Sequence, residues 1–113
     1  MKKIEAIIRP ETFPAVREGL AKEGIDGLSI SEIAGAGRQE GRTGLFRGNS
    51  YSMEFSPKLK LEMVVDDSKV QPIVNLILQE AVTGQVGDGK IFIFPVEQAI
   101  RIRTKEAGTA AIH

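Results

Sequence analysis

Apolar and polar residues alternate from the start of the chain. Ile4, Ala6 and Ile8 fall on one side, and Lys3, Glu5, Ile7 and Arg9 on the other, which is the pattern of a half-buried strand. Pro10 ends it. Phe13, Val16 and Leu20 then recur at helical spacing, with Thr12 as N-cap, Pro14 in the first turn and Gly24 as the stop. The first helix is thus expected over Phe13–Glu23. A second strand is read over Leu28–Ala36, with a bulge or bend between Ile30 and Ile33 where the alternation slips. Lys58–Val65 alternates without a break: Leu59, Leu61, Met63 and Val65 against Lys60, Glu62 and Val64. Asp66, Asp67 and Ser68 carry cap signals for a second helix, whose apolar stripe is Val70, Ile73, Val74, Ile77, Leu78 and Ala81. IFIFPV reads as a short continuous apolar strand, and Ala99–Arg103 as a short last one. The tail after Gly108 gives little signal.

The order β-α-β, loop, β-α-β predicts an α+β, ferredoxin-like sandwich with both helices on one face of an antiparallel sheet. The opposite face carries Ile7, Val64, Phe92 and Phe94 among charges. Leaving such a mixed face bare is unfavourable, so a second subunit is expected to cover it. Between the second and third strands runs GRQEGRTGLFRGNSYSMEFSP, Gly37–Pro57, which is polar and contains Gly37, Gly41, Gly44, Gly48 and the chain's one tyrosine, Tyr51. Long loops in small domains are commonly functional, and this one is expected to meet a partner.

With 113 residues the chain is one domain with one core. Fifteen Lys and Arg balance fifteen Asp and Glu, which argues against nucleic acid as the main partner. The absence of cysteine excludes disulfides and thiolate metal sites. No apolar run reaches the length of a membrane span, and the N-terminus does not resemble a signal peptide. A cytoplasmic protein without membrane insertion is expected.

Three segments carry candidate chemistry. Gly84–Lys90, GQVGDGK, has the spacing of a Walker phosphate loop. The next residue is Ile91 rather than Ser or Thr, and the segment runs from helix to strand, so the Walker reading fails. Its glycines and Lys90 still suit an anion, or else make an ordinary turn. In RIRTK, an extended backbone would put Arg101, Arg103 and Lys105 on one side, neighbours roughly 7 Å apart, within reach of adjacent phosphates. The other reading is a charged edge strand. In GAGRQEG, Gly35–Gly41, Gln39 offers a neutral oxygen to Mg²⁺, unless the segment is only a flexible entry into the loop. The one histidine, His113, is given no role, and no catalytic constellation is found.

Two of these runs resemble a known family. TGQVGDGKIFIFPVEQAIRIRT, Thr83–Thr104, is similar to the nucleotide-binding signature of the PII nitrogen-regulatory signal proteins, and GRQEGRTGLFRGNSY, Gly37–Tyr51, to their long regulatory loop. The likeness spans essentially the whole chain. It implies a homotrimer with ATP or ADP sites between subunits, and no enzymatic turnover. Gly87, Asp88, Gly89 and Lys90 would cradle the phosphates, joined by Arg101, Ile102 and Arg103 of a neighbour. Gly35, Gly37, Arg38 and Val64 would line the site, with Ser29 near base and ribose. Gln39 would bind Mg²⁺ held by ATP, and 2-oxoglutarate would chelate that ion while contacting Gln39, Gly41, Gly87 and Lys58. The effector-set loop, 37–57, would then dock on or leave targets such as an ammonium transporter, nitrogen-assimilation enzymes or kinases. Arg47 matches a residue that enters a transporter pore, and Tyr51 the modified tyrosine. Segments 83–90 and 101–108 would be the nucleotide and C-terminal loops.

The sequence departs from the family pattern at Ala36, where an aromatic is usual, at Gly44 and Phe46, at Asn49-Ser50, and at Glu40, where a lysine is usual. A carboxylate there repels an incoming dianion, on the order of 1 kcal/mol if exposed. An adenylate sensor indifferent to 2-oxoglutarate is therefore the alternative. An acylphosphatase-like enzyme and an RNA-binding module share the fold; the first needs a phosphate cradle with a positioned nucleophilic water, which the glycine loops allow weakly, and the second lacks stacking aromatics on its inner strands.

Overall fold

The computed structural model describes residues 1–25, 27–40 and 51–113, and for 35–40 and 51–55 the backbone alone. Its elements are β1 (Lys2–Ile8), α1 (Phe13–Lys22), β2 (Ser29–Glu40), β3 (Tyr51–Val65), α2 (Asp67–Ala81) and β4 (Gly89–Pro95), with 3-10 turns at Pro10–Thr12 and Gly108–Ile112. The strands pair antiparallel in the order β2-β3-β1-β4. This is the ferredoxin-like arrangement that the element order predicts.

Alternation decides which residues meet the helices. Ile4, Ala6 and Ile8 of β1 pair with Met63, Leu61 and Leu59 of β3. They pack against Val16 and Leu20 of α1 and Ile73, Ile77 and Ala81 of α2. α1 ends as predicted at a left-handed Gly24, with Ile25 N–H donating to the Leu20 carbonyl and Gly24 N–H to Ala21. That pair of bonds is the Schellman cap, and Ile25 supplies its apolar contact.

Five local expectations need correction. Thr12 does not cap α1: the 3-10 turn leads straight into the helix, and the Thr12 hydroxyl donates back to the Arg9 carbonyl at 2.8 Å. β2 has no bulge. Its register runs unbroken from Ser29 opposite Glu62 to Glu40 opposite Tyr51. Ile33 belongs to the sheet face away from the helices, opposite Lys58. The segment 37–57 is not all loop either, because β2 and β3 take 37–40 and 51–57 as a paired ribbon. Ala99–Arg103 is not a strand: one bridge joins Ile100 to Ala107, and the chain turns over between them. The tail is structured, with the 3-10 turn Gly108–Ile112 folding back on the domain.

β4 lies at the sheet edge; Ile91 packs against the core, but Phe92, Ile93 and Phe94 are each more than two-fifths exposed in the single chain. On the face away from the helices, Lys3 joins Glu5 and Glu62 at 3.4 and 3.0 Å and lies over the Phe94 ring. Its hydrogen bond to Glu62 raises the Lys3 pKa, and Lys3 holds Glu62 below the usual carboxylate range. Among the described residues, no helix is long and apolar enough to cross a membrane.

Candidate functional site

The glycine-rich segment 83–90 folds into a loop pinned from inside by two cations. Arg9, at the end of β1, donates from Nε to Asp88 Oδ1 at 2.9 Å and from Nη2 to the Val86 carbonyl at 2.8 Å. Lys58, on the polar row of β3, donates from Nζ to the Gly87 carbonyl at 2.7 Å. Only 9 % of Lys58 is exposed; its stem lies with Ile7 and Ile33 along a hollow of about 480 Å³ that Gly87, Asp88, Gly89, Lys90 and Phe92 complete.

Asp88 is the knot of the loop. Its carboxylate accepts the Thr83 hydroxyl, the Thr83 N–H at 2.8 Å, the Gly84 N–H at 2.9 Å and Arg9. The Thr83 hydroxyl, then the Thr83 N–H and Arg9, hold it well below the usual carboxylate range. Two glycines are needed for conformation. Gly87 has φ +102, and a Cβ there would lie 3.2 Å from the Arg9 guanidinium. Gly89 has φ +107, and its Cβ would fall 1.7 Å from the Ile7 carbonyl oxygen. With the Val86 carbonyl turned toward Arg9 and the Gln85–Asp88 turn engaging the Asp88 N–H, no acceptor is found among the described residues for the N–H of Gly87. That N–H, with Lys90 lining the same hollow, makes a cradle suited to an anion.

The remaining candidates divide between the two ends of the sheet. Gly35, Gly37, Arg38 and Gln39 continue β2 beyond Ile33, in register with Ser56, Glu54, Met53 and Ser52. Their backbone therefore leaves the sheet at the Lys58 end. Ser29 and Val64 are at the other end. They line a hollow of about 430 Å³ with Lys3, Leu28, Glu62 and Ile112. Val64 is six residue steps along β3 from Lys58, roughly 20 Å of extended chain. Arg101 is not at the anion cradle. It pairs with Glu106 at 2.6 Å and donates to the main-chain oxygens of Ala110 and His113. Ile102 and Arg103 lie in the exposed turn beyond it, so the one-sided row of Arg101, Arg103 and Lys105 does not form. Tyr51 starts β3 opposite Glu40. Gly41 and Arg47 lie outside the described residues.

Arg9 is the residue that sequence reading missed. In the sequence it is only the outward end of a strand before Pro10. The β1–β4 register, with Ile8 opposite Gly89, is what brings it beneath the loop. His113, given no role, meets Asp66 at 3.1 Å.

The fold and loop define the class: a ferredoxin-like α+β domain with a cation-pinned glycine loop and a β2–β3 ribbon running out beside it. A family profile, nitrogen regulatory protein P-II, matches residues 1–106. The nitrogen regulatory protein P-II of Nostoc punctiforme is 54% identical over 112 residues, 99% of this chain and 100% of the relative. Nitrogen regulatory protein P-II 1 of Escherichia coli K12 is 52% identical over the same shares. The Arabidopsis thaliana PII crystal structure bound to citrate superposes with a TM-score of 0.78 at 38% identity, over 98% of this chain and 88% of that one. The chain belongs to the P-II nitrogen regulatory protein family.

Proposed function

We propose that this protein is a nitrogen, carbon and energy-status signal transducer of the cytoplasm. It binds ATP or ADP between subunits of a homotrimer, binds 2-oxoglutarate together with Mg-ATP, and regulates target proteins through segment 37–57. The observation that carries this reading is the cradle at Gly87–Lys90, held open by Arg9 and Lys58. It offers a backbone N–H and the Lys90 ammonium to a polyphosphate without a Walker Ser or Thr.

The division of the candidates supports an intersubunit site. Ser29, Val64 and the Arg101 turn are at one end of the sheet, and the cradle is at the other. One copy can therefore supply the base side and a neighbour the phosphate side. The bare face around Phe92, Phe94 and Val64 is the surface such neighbours would share. Gln39 would contribute an oxygen to the nucleotide-bound Mg²⁺, whose charge would help hold a chelating carboxylate. Lys58 would pair with the far carboxylate of 2-oxoglutarate, beside Gly41 and Gly87. The citrate named for the Arabidopsis relative is, like 2-oxoglutarate, a small polycarboxylate.

Coupling follows from the shared ion. If ATP creates the 2-oxoglutarate site, 2-oxoglutarate tightens ATP by the same factor. The ribbon base then reports ligation to a target such as an ammonium transporter, an assimilation enzyme or a kinase, with Arg47 as a contact and Tyr51 as a modification site.

Calorimetric titration of 2-oxoglutarate with Mg-ATP and with Mg-ADP tests the reading. Saturable binding with ATP alone is expected. A second reading, an adenylate sensor without 2-oxoglutarate, is favoured by Glu40; ATP binding with no 2-oxoglutarate response would select it.

A further inference from the structure

We infer that the C-terminal strap, residues 101–113, is an autoinhibitory clasp on Arg101 that nucleotide must open. The inference rests on the proposed nucleotide reading, in which Arg101 serves a phosphate.

Both terminal nitrogens of the Arg101 guanidinium are turned into the strap. Nη1 pairs with the Glu106 carboxylate at 2.6 Å, while Nη2 donates to the oxygens of Ala110 and His113. The backbone reinforces this closure. Arg101 N–H donates to the Glu106 carbonyl at 2.8 Å, Lys105 N–H to the Arg101 carbonyl at 2.8 Å, and Gly108 N–H to Ala99 at 2.9 Å. Lys105 adopts φ +62, a left-handed conformation that is unfavourable for a side chain bearing a Cβ, and the closed turn holds it there.

The far end of the strap is latched to the base-side hollow. His113 Nε2 meets Asp66 Oδ2 at the start of α2. Ile112 forms a wall of the hollow that contains Ser29 and Val64. One segment thus narrows the base side and occupies the guanidinium proposed to reach a phosphate. A phosphate oxygen offers Arg101 the same charge-assisted geometry as Glu106, so carboxylate and phosphate compete for one fork. The strap bonds are solvent-exposed, which keeps the closed state weak enough for a ligand to reverse. Apparent nucleotide affinity falls by the fraction of chains in the open state.

The test compares the full chain with a truncation after Gly108, which also removes the Ile112 wall of the base-side hollow, and with Glu106→Gln, which removes no residue assigned to the ligand. Calorimetry with ATP is expected to show about three- to tenfold tighter binding for both variants. Hydrogen exchange in 109–113 of the full chain is expected to rise at saturating ATP. Equal or weaker affinity in the variants, or exchange that falls or stays level on ligation, overturns the clasp and leaves nucleotide binding standing. No ATP binding by any of the three overturns the nucleotide reading and the clasp with it.

Discussion

The Lys58 ammonium lies 2.7 Å from the Gly87 carbonyl oxygen, so the middle strand of the β2-β3-β1 set holds the glycine loop from across the sheet. Lys58→Ala removes the donor and the buried stem together. A loss of about 1–3 kcal/mol of stability is expected, measured by urea unfolding. Lys58→Met keeps the stem and should recover part of that loss. Neither variant should bind 2-oxoglutarate in a Mg-ATP titration, and binding by Lys58→Met would remove Lys58 from the proposed site.

Asp88 gives the loop a pH response of defined sign. Its pKa is depressed in the folded chain by Thr83 and Arg9. A depressed carboxylate stabilises the fold fully above its unfolded value, about 3.9, and that contribution is lost as pH falls through the folded value. Amide exchange at Thr83 and Gly84 should therefore accelerate progressively as pH drops below about 4, after correction for intrinsic rates. In Asp88→Asn the acid-dependent component should vanish.

Gly89 tolerates no side chain. A Cβ there would fall 1.7 Å from a main-chain oxygen of β1, at φ +107. Gly89→Ala should cost on the order of 3 kcal/mol or more, read as a lowered melting temperature or loss of folded protein. Gly84, at φ +85 with nothing within 4 Å, is the control. Gly84→Ala should cost only about 1 kcal/mol.

Phe94 tests the shared face. It is 42% exposed in the single chain, so Phe94→Asp should leave the fold intact by circular dichroism. If neighbours cover this face, the variant should sediment as a smaller species than the wild type. Unchanged sedimentation would put the subunit contact elsewhere.

Much of this arrangement could be read from period alone. β1 and β3 alternate strictly, and that alternation assigns Ile4, Leu61 and their row to the helices. The same rule placed Lys58 on the polar row. It could not say what Lys58 holds, because that contact joins residues far apart in the chain. Ile33 looked like a slip only because an isoleucine was expected to face the helices; it lies beside Ile7 and the Lys58 stem instead. RIRTK shows the limit of period two. Alternating charges suit a strand, but a strand also needs a neighbour with free backbone groups. Here Arg101 finds Glu106 and main-chain oxygens of its own tail, so a turn forms. Arg9 and the strap were hidden for the same reason: each depends on register or on closure at a distance.

The unbroken β2–β3 register has a mechanical consequence. From Lys58 to Tyr51 the paired strands run seven residues, roughly 23 Å at strand spacing. A two-stranded antiparallel ribbon resists slippage, because a one-residue shift turns every side chain to the opposite face. It twists and pivots more readily than it slides. A rotation of about 10° where Ile33 faces Lys58 would swing Tyr51 by about 4 Å at that lever length. A small rearrangement around the Lys58 ammonium is thereby amplified at the ribbon's outer end.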